Sequence, residues 1–182
     1  MTDRQPVLAN ANRVTGFLFV GGAPGSGPTV DPVGEVAELR RLGVTDILDC
    51  RAEATPAARE VAQSAGIGYA TAPQEDGLDE PEEGWFDTGL THARAVLSDP
   101  DRVLFTHCQG GRGRGPSMGF AVLLESGMAP AEAFAAIKAV RPQSLLSFAT
   151  HALDHHLAER GITGAAAAEL RAELAREIAR WP

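Results

Sequence analysis

The chain has 182 residues, 44% hydrophobic and 22% charged, the balance of a soluble globular protein long enough to bury a core. A net charge of −8 speaks against general nucleic-acid binding, which favours a surplus of Lys and Arg. No apolar run approaches the ~18 residues of a membrane span. The first residues lack the basic start and apolar centre of a secretion signal, and the cysteines Cys50 and Cys108 suit a reducing compartment. The expectation is a single domain over 1–182, cytoplasmic, with no membrane span and no nucleic acid as partner.

In chain order, residues 1–14 are polar and read as a loose lead-in. Phe17-Leu18-Phe19-Val20 reads as a short strand that ends at Gly21-Gly22. Gly22-Ala23-Pro24-Gly25-Ser26-Gly27-Pro28-Thr29 then has the spacing of a Walker loop, with Pro28 where the lysine must stand. Proline supplies neither the charge nor the backbone donor, so the run reads as a surface loop.

Asp31-Pro32 opens a helix with Val33, Val36, Leu39 and Leu42 at helical spacing and Gly43 as its stop. Val44 to Asp49 is a second strand leading into Cys50-Arg51. Thr55-Pro56 caps a second helix that Gly66 ends, and Ile67 to Ala70 is a third strand. Pro73 to Gly84 reads as an acidic loop, mostly a solvated connector. Phe86, Leu90, Ala93 and Leu97 stripe the next helix, with His92 as a surface residue, and Arg102 to His107 is a further strand.

Pro116 to Ser126 and Pro130 to Val140 are helices, Arg141-Pro142 ends the latter, and the remainder is helical with a last helix over 162–182. Strands alternating with helices predict an α/β fold: a central, largely parallel sheet of about four to five strands flanked by helices. His151, Asp154, His155 and His156 include a one-turn pair, but with no further ligand shell they read as solvated helix residues, and no metal is expected.

The chemistry concentrates in Val103-Leu104-Phe105-Thr106-His107-Cys108-Gln109-Gly110-Gly111-Arg112-Gly113-Arg114-Gly115-Pro116-Ser117-Met118. A buried strand breaks into a glycine-rich loop, and Pro116 opens a helix. Amides of such a loop can turn inward as an anion nest, beside the positive end of the helix dipole. Arg114 can hold two phosphoryl oxygens with its planar fork. Cys108 therefore reads as a nucleophile inside a phosphate site.

His107-Cys108-x5-Arg114 resembles the signature loop of the cysteine-dependent protein tyrosine phosphatases. The stretch through Ser117 is most similar to the dual-specificity branch, whose loop often reads HCxxGxxRSP(S/T). Leu18-Phe19-Val20-Gly21-Gly22-Ala23-Pro24 also resembles the first strand and turn of that branch.

The resemblance implies a dual-specificity phosphatase-like fold and a phosphomonoesterase that needs no cofactor. Its substrate would be a phosphorylated protein or small phosphorylated molecule, phosphotyrosine first and phosphoserine/threonine next. Cys108 would attack phosphorus; Arg114 and the amides of Gln109, Gly110, Gly111, Arg112, Gly113 and Arg114 would hold the oxyanion. His107 would hold the loop and help keep the thiol ionised. An aspartate after the third strand would be the general acid: Asp76, 32 residues before Cys108, ahead of Asp79 and then Glu75. The late Arg-Pro is structural in the family more often than catalytic.

The chain departs from the family at Gly115, where a Ser or Thr usually helps sulfur leave; Ser117 is the candidate substitute. Gly115 supports a rival reading, a slow or inactive phosphate-binding module. Arg112, where related phosphoinositide phosphatases often carry lysine, supports another, a phosphoinositide or inositol phosphate phosphatase. Chemistry on arsenate or sulfur species would need a relay of thiols, for which only Cys50 is at hand. Cys50 reads either as a small core residue or, as in some family members, as a redox partner that forms a disulfide with Cys108.

Overall fold

The computed structural model describes residues 5–27 and 30–181. The strands are β1 (Ala11–Arg13), β2 (Leu18–Gly22), β3 (Asp46–Arg51), β4 (Gly68–Gln74) and β5 (Leu104–Cys108). The helices are α1 (Pro32–Arg41), α2 (Pro56–Ser64), α3 (Trp85–Leu97), α4 (Arg114–Glu125), α5 (Pro130–Val140), α6 (Ala149–Glu159) and α7 (Gly164–Ile178). The sheet order is β1-β2-β5-β3-β4, with β1 antiparallel to β2 and every other pairing parallel. No helix among the described residues is long and apolar enough to cross a membrane.

Alternation along the strands divides the core between the two faces of the sheet. Phe19, Ile47 and Phe105 pack with Val36, Leu39 and Ala62 from α1 and α2. Leu18, Val20, Leu48, Cys50, Leu104 and Cys108 face the larger layer, built from α3 to α7 with Met118, Phe120, Phe134 and Phe148 at its centre. Asp31 and Thr55 cap α1 and α2 as expected, each accepting from the third residue on, with proline at the first helical position. Leu174 is buried, and Leu170, Ile178 and Trp181 pack partly buried against the same core.

Four expectations need correction. The lead-in is not loose throughout: Ala11–Arg13 pairs with Phe19–Gly21 as an edge strand, because Gly21 leaves room for the backbone of Asn10 and Ala11. β4 runs on to Gln74, so Pro73 belongs to a strand; β4 lies at the sheet edge, where a missing N–H is tolerated. α4 begins at Arg114 rather than Pro116, since a proline in the first turn forfeits no intrahelical bond. His92 is half-buried, its Nε2 has no protein partner, and burial lowers its pKa.

The Walker-like run lies partly outside the described residues, at Pro28 and Thr29. In its described part the amide of Gly25 donates to the Glu35 carboxylate, and the Gln109 carbonyl accepts from the amide of Ala23. The chain's own oxygens occupy both of these donors.

Candidate active site

Ligand sites in open α/β sheets form beyond the carboxyl ends of parallel strands. Here β5 ends at Cys108, β3 at Arg51 and β4 at Gln74, all on one rim. Cys108 is 3% exposed and Arg114, in the first turn of α4, is 7% exposed. Both line a cleft of about 390 Å³ with Glu75, Asp76, Gly110, Arg112 and Gly113; Leu78, Leu145 and Phe148 give it apolar walls.

Arg114 is fixed from the β4 side. Its Nη1 donates to the carbonyl of Gln74 at 2.8 Å, and its Nη2 lies 3.1 Å from Asp76 Oδ2. Nε is buried with no protein partner, which leaves a donor for an oxyanion. The Asp76 side chain is 82% exposed, on the loop that follows β4. Glu75, Asp76, Gly77 and Leu78 line the cleft; Asp79 lies outside its wall.

Two glycines of the loop have steric reasons. Gly111 has φ +66°, and a Cβ there would stand 2.2 Å from the backbone of Gly21. A Cβ on Gly115 would stand 2.7 Å from His107 Cα and 2.8 Å from the Cys108 nitrogen. The position where the resemblance leads one to expect a hydroxyl is thus closed by the strand itself. The Ser117 hydroxyl is buried and accepts from the Phe148 amide at 3.0 Å, which holds the 145–148 wall of the cleft.

Behind the loop, His107 is wholly buried, with Nδ1 3.4 Å from the Cys108 carbonyl and 3.8 Å from Asp49 Oδ1. Burial pushes its pKa down to about 4, against the pull of Asp49, so it is neutral at pH 7. It can hold the loop, but near neutrality it brings no positive charge to the thiol.

Asp49 accepts from Arg51 and from the Tyr69 hydroxyl. Burial raises its pKa, but these bonds and the facing His107 outweigh that and leave it below the usual range. Arg51 Nη1 also reaches the Gln109 side chain at 3.3 Å, tying β3 to the loop. Cys50 follows Asp49, which is in register with His107, so Cys50 and Cys108 lie side by side near the ends of neighbouring strands. Burial pushes the Cys50 thiol well up, reinforced by the neighbouring Cys108 and the Asp49 carboxylate.

Sequence reasoning missed Asp49, Arg51, Tyr69 and the apolar walls Leu78, Leu145 and Phe148. Asp49 and Arg51 flank Cys50 at a strand end, and the rim rule alone would have pointed to them. The histidines of α6 are not solvated as expected: His155 pairs with Asp87, His156 faces Glu125, and His151, His155 and His156 are all partly buried. Glu159 lies with Asp87 and His155 but is ion-paired to Arg94.

No protein-family model and no curated protein sequence matches the chain. Solved structures do. Human DUSP28 aligns with TM-score 0.64 and 22% identity over 86% of this chain and 99% of its own. Tk-PTP in its active form aligns with TM-score 0.63 and 20% identity over 82% of this chain and 97% of its own. PTPMT1 aligns with TM-score 0.63 and 17% identity over 84% and 99%. With its glycine-rich loop between β5 and α4, the chain has the fold of the cysteine-dependent phosphatases of the protein tyrosine and dual-specificity type.

Proposed function

We propose that the chain is a phosphomonoesterase that works through a phosphocysteine intermediate. The observation that carries this is the convergence of Cys108, Arg114 and Asp76 on one cleft, with Arg114 and Asp76 in contact. Cys108 sulfur attacks phosphorus while the P–O bond to the leaving group breaks, and Asp76 gives that oxygen its proton. Arg114 and the amides of 109–114 stabilise the charge on the three remaining oxygens. Water then attacks phosphorus, Asp76 takes its proton, and the S–P bond breaks to return the thiolate. The reading takes the chain as one catalytic domain, without cofactor, in a cytoplasmic setting that keeps both cysteines reduced.

For the substrate we favour phosphotyrosine, with phosphoserine/threonine next. Leu78 and Leu145 are 44% and 61% exposed on the walls of the cleft, and Phe148 lines it with them, a lining that suits an aryl ester. A second reading, a phosphoinositide, draws on the exposed Arg112 at the rim and on a similar PTPMT1 structure in complex with PI(5)P.

The test is release of phosphate from p-nitrophenyl phosphate in the presence of chelator, wild type beside Cys108→Ser. Loss of turnover with vanadate binding retained is expected. Full activity in Cys108→Ser would overturn the proposal. An inactive wild type that still binds vanadate would leave the loop a recognition module.

A further inference from the structure

Arg141 is 2% exposed, and no carboxylate pairs with it among the described residues. Its guanidinium spends its donors on four oxygens. Nε donates to the Gly111 carbonyl at 2.6 Å, and Nη2 to the Gly110 carbonyl at 3.2 Å. Nη1 and Nη2 also donate to Asn12 Oδ1 and Asn10 Oδ1, each at 2.8 Å. Arg141 does not line the Cys108 cleft; it lies behind the loop, in a surface depression with Ala9, Asn10 and Asn12.

A peptide has its N–H and C=O on opposite sides, so a carbonyl held behind the loop turns its amide partner to the front. A carbonyl turned forward would set a negative dipole against a phosphate and a thiolate. The choice matters most at Gly110 and Gly111, where no side chain biases the backbone. A buried cation without a counter-ion is also costly unless its surroundings compensate, and an anion bound in the loop in front of it would supply negative charge.

The asparagines are themselves anchored. The Glu38 carboxylate accepts from the amides of Val7, Leu8 and Ala9, each at 2.9 Å. Gln5 exchanges two hydrogen bonds with the backbone of Arg13, whose side chain donates to the Leu42 carbonyl. Asn10 further donates to Ser26.

We propose that Arg141 is a positioning residue, set by Asn10 and Asn12 of the N-terminal segment, that holds the Gly110 and Gly111 carbonyls away from Cys108. This rests on the phosphatase reading above. The N-terminal segment is thereby part of the active-site support, although it does not line the cleft.

The experiment compares wild type, Asn10→Ala/Asn12→Ala, Asn10→Asp/Asn12→Asp and Cys108→Ser, with p-nitrophenyl phosphate turnover, vanadate inhibition and Tm for each. The alanine pair removes both acceptors; the aspartate pair keeps an oxygen for each N–H. Expected for the alanine pair is a roughly 10- to 100-fold lower kcat and a parallel weakening of vanadate, with the aspartate pair restored towards wild type. An alanine pair that is folded at the assay temperature and keeps kcat and vanadate affinity within about twofold overturns the proposal. If the alanine pair does not fold, Glu38→Gln, which slackens the same segment from farther away, decides the matter: lowered kcat with weakened vanadate supports the proposal, and unchanged values overturn it. Turnover surviving in Cys108→Ser defeats the phosphatase reading instead, whatever the asparagine variants do.

Discussion

The Arg114 guanidinium and the Asp76 carboxylate meet at 3.1 Å across the mouth of the cleft, one anchored on α4, the other on an exposed loop. Asp76 lines the cleft with Cys108, and Asp79 does not, so on the phosphatase reading proposed above Asp76 is the general acid. Asp76→Asn is expected to lower kcat on phenyl phosphate by about 10²-fold or more, the usual contribution of a positioned general acid. Asp79→Asn is expected to stay near wild type. Steady-state kinetics on both variants decides it, and the reverse ranking would move the acid to Asp79.

Gly115 invites repair to serine, and the packing argues against it. A Cβ there meets backbone atoms of His107 and Cys108 at 2.7–2.8 Å, and backbone cannot swing aside as a side-chain tip can. Gly115→Ser and Gly115→Ala should both cost about 1–3 kcal/mol of stability, and the serine should bring no gain in kcat over the alanine. Chemical denaturation and turnover measured on the pair check this. A serine variant with wild-type stability and faster turnover would show that the loop can accommodate the hydroxyl.

Cys50 and Cys108 lie near the ends of adjacent strands and share one core face. Under mild peroxide we expect Cys108 to be oxidised to the sulfenic acid, which Cys50 then attacks with loss of water to give a disulfide that thiols reverse. Peptide mapping should find the 50–108 cross-link, and Cys50→Ser should convert reversible inactivation into permanent loss. Sulfinic acid at Cys108 in wild type, with no cross-link, would leave Cys50 a packing residue.

His107 titrates at about 4 when folded, against its ordinary 6.5. Between those values the unfolded chain takes up a proton that the buried ring refuses, so stability falls as pH drops from 6.5 towards 4. The full effect is about 3 kcal/mol. Urea melts across that window should show a shallower slope for His107→Asn than for wild type; identical slopes would mean the ring is protonated in place.

Much of this architecture was readable because it is written in local pattern. The capping pairs Asp31-Pro32 and Thr55-Pro56 mark helix starts wherever they occur, and the spacing of Cys108 and Arg114 belongs to one loop. Distance along the chain hid the rest. Arg141 meets Asn10 and Asn12 across about 130 residues, and nothing in the short segment 10–13 announces that partner. Pro73 marked the start of a loop only because the sequence does not say which strand lies at the edge. Gly115 looked like a lost catalytic group until the proximity of His107 appeared.

β5 lies in the middle of the sheet, bonded to β2 on one side and β3 on the other, while β4 is an edge. Backbone amides of the strand that ends at Cys108 should therefore exchange with solvent hydrogen only through deep unfolding, and those after Gln74 through shallow opening. On the phosphatase reading proposed above, the nucleophile is thus mounted on the slowest-breathing part of the molecule and the proton donor on one of the fastest. A substrate meets a fixed anvil and a hinged hammer, and the two can be tuned by mutation almost independently.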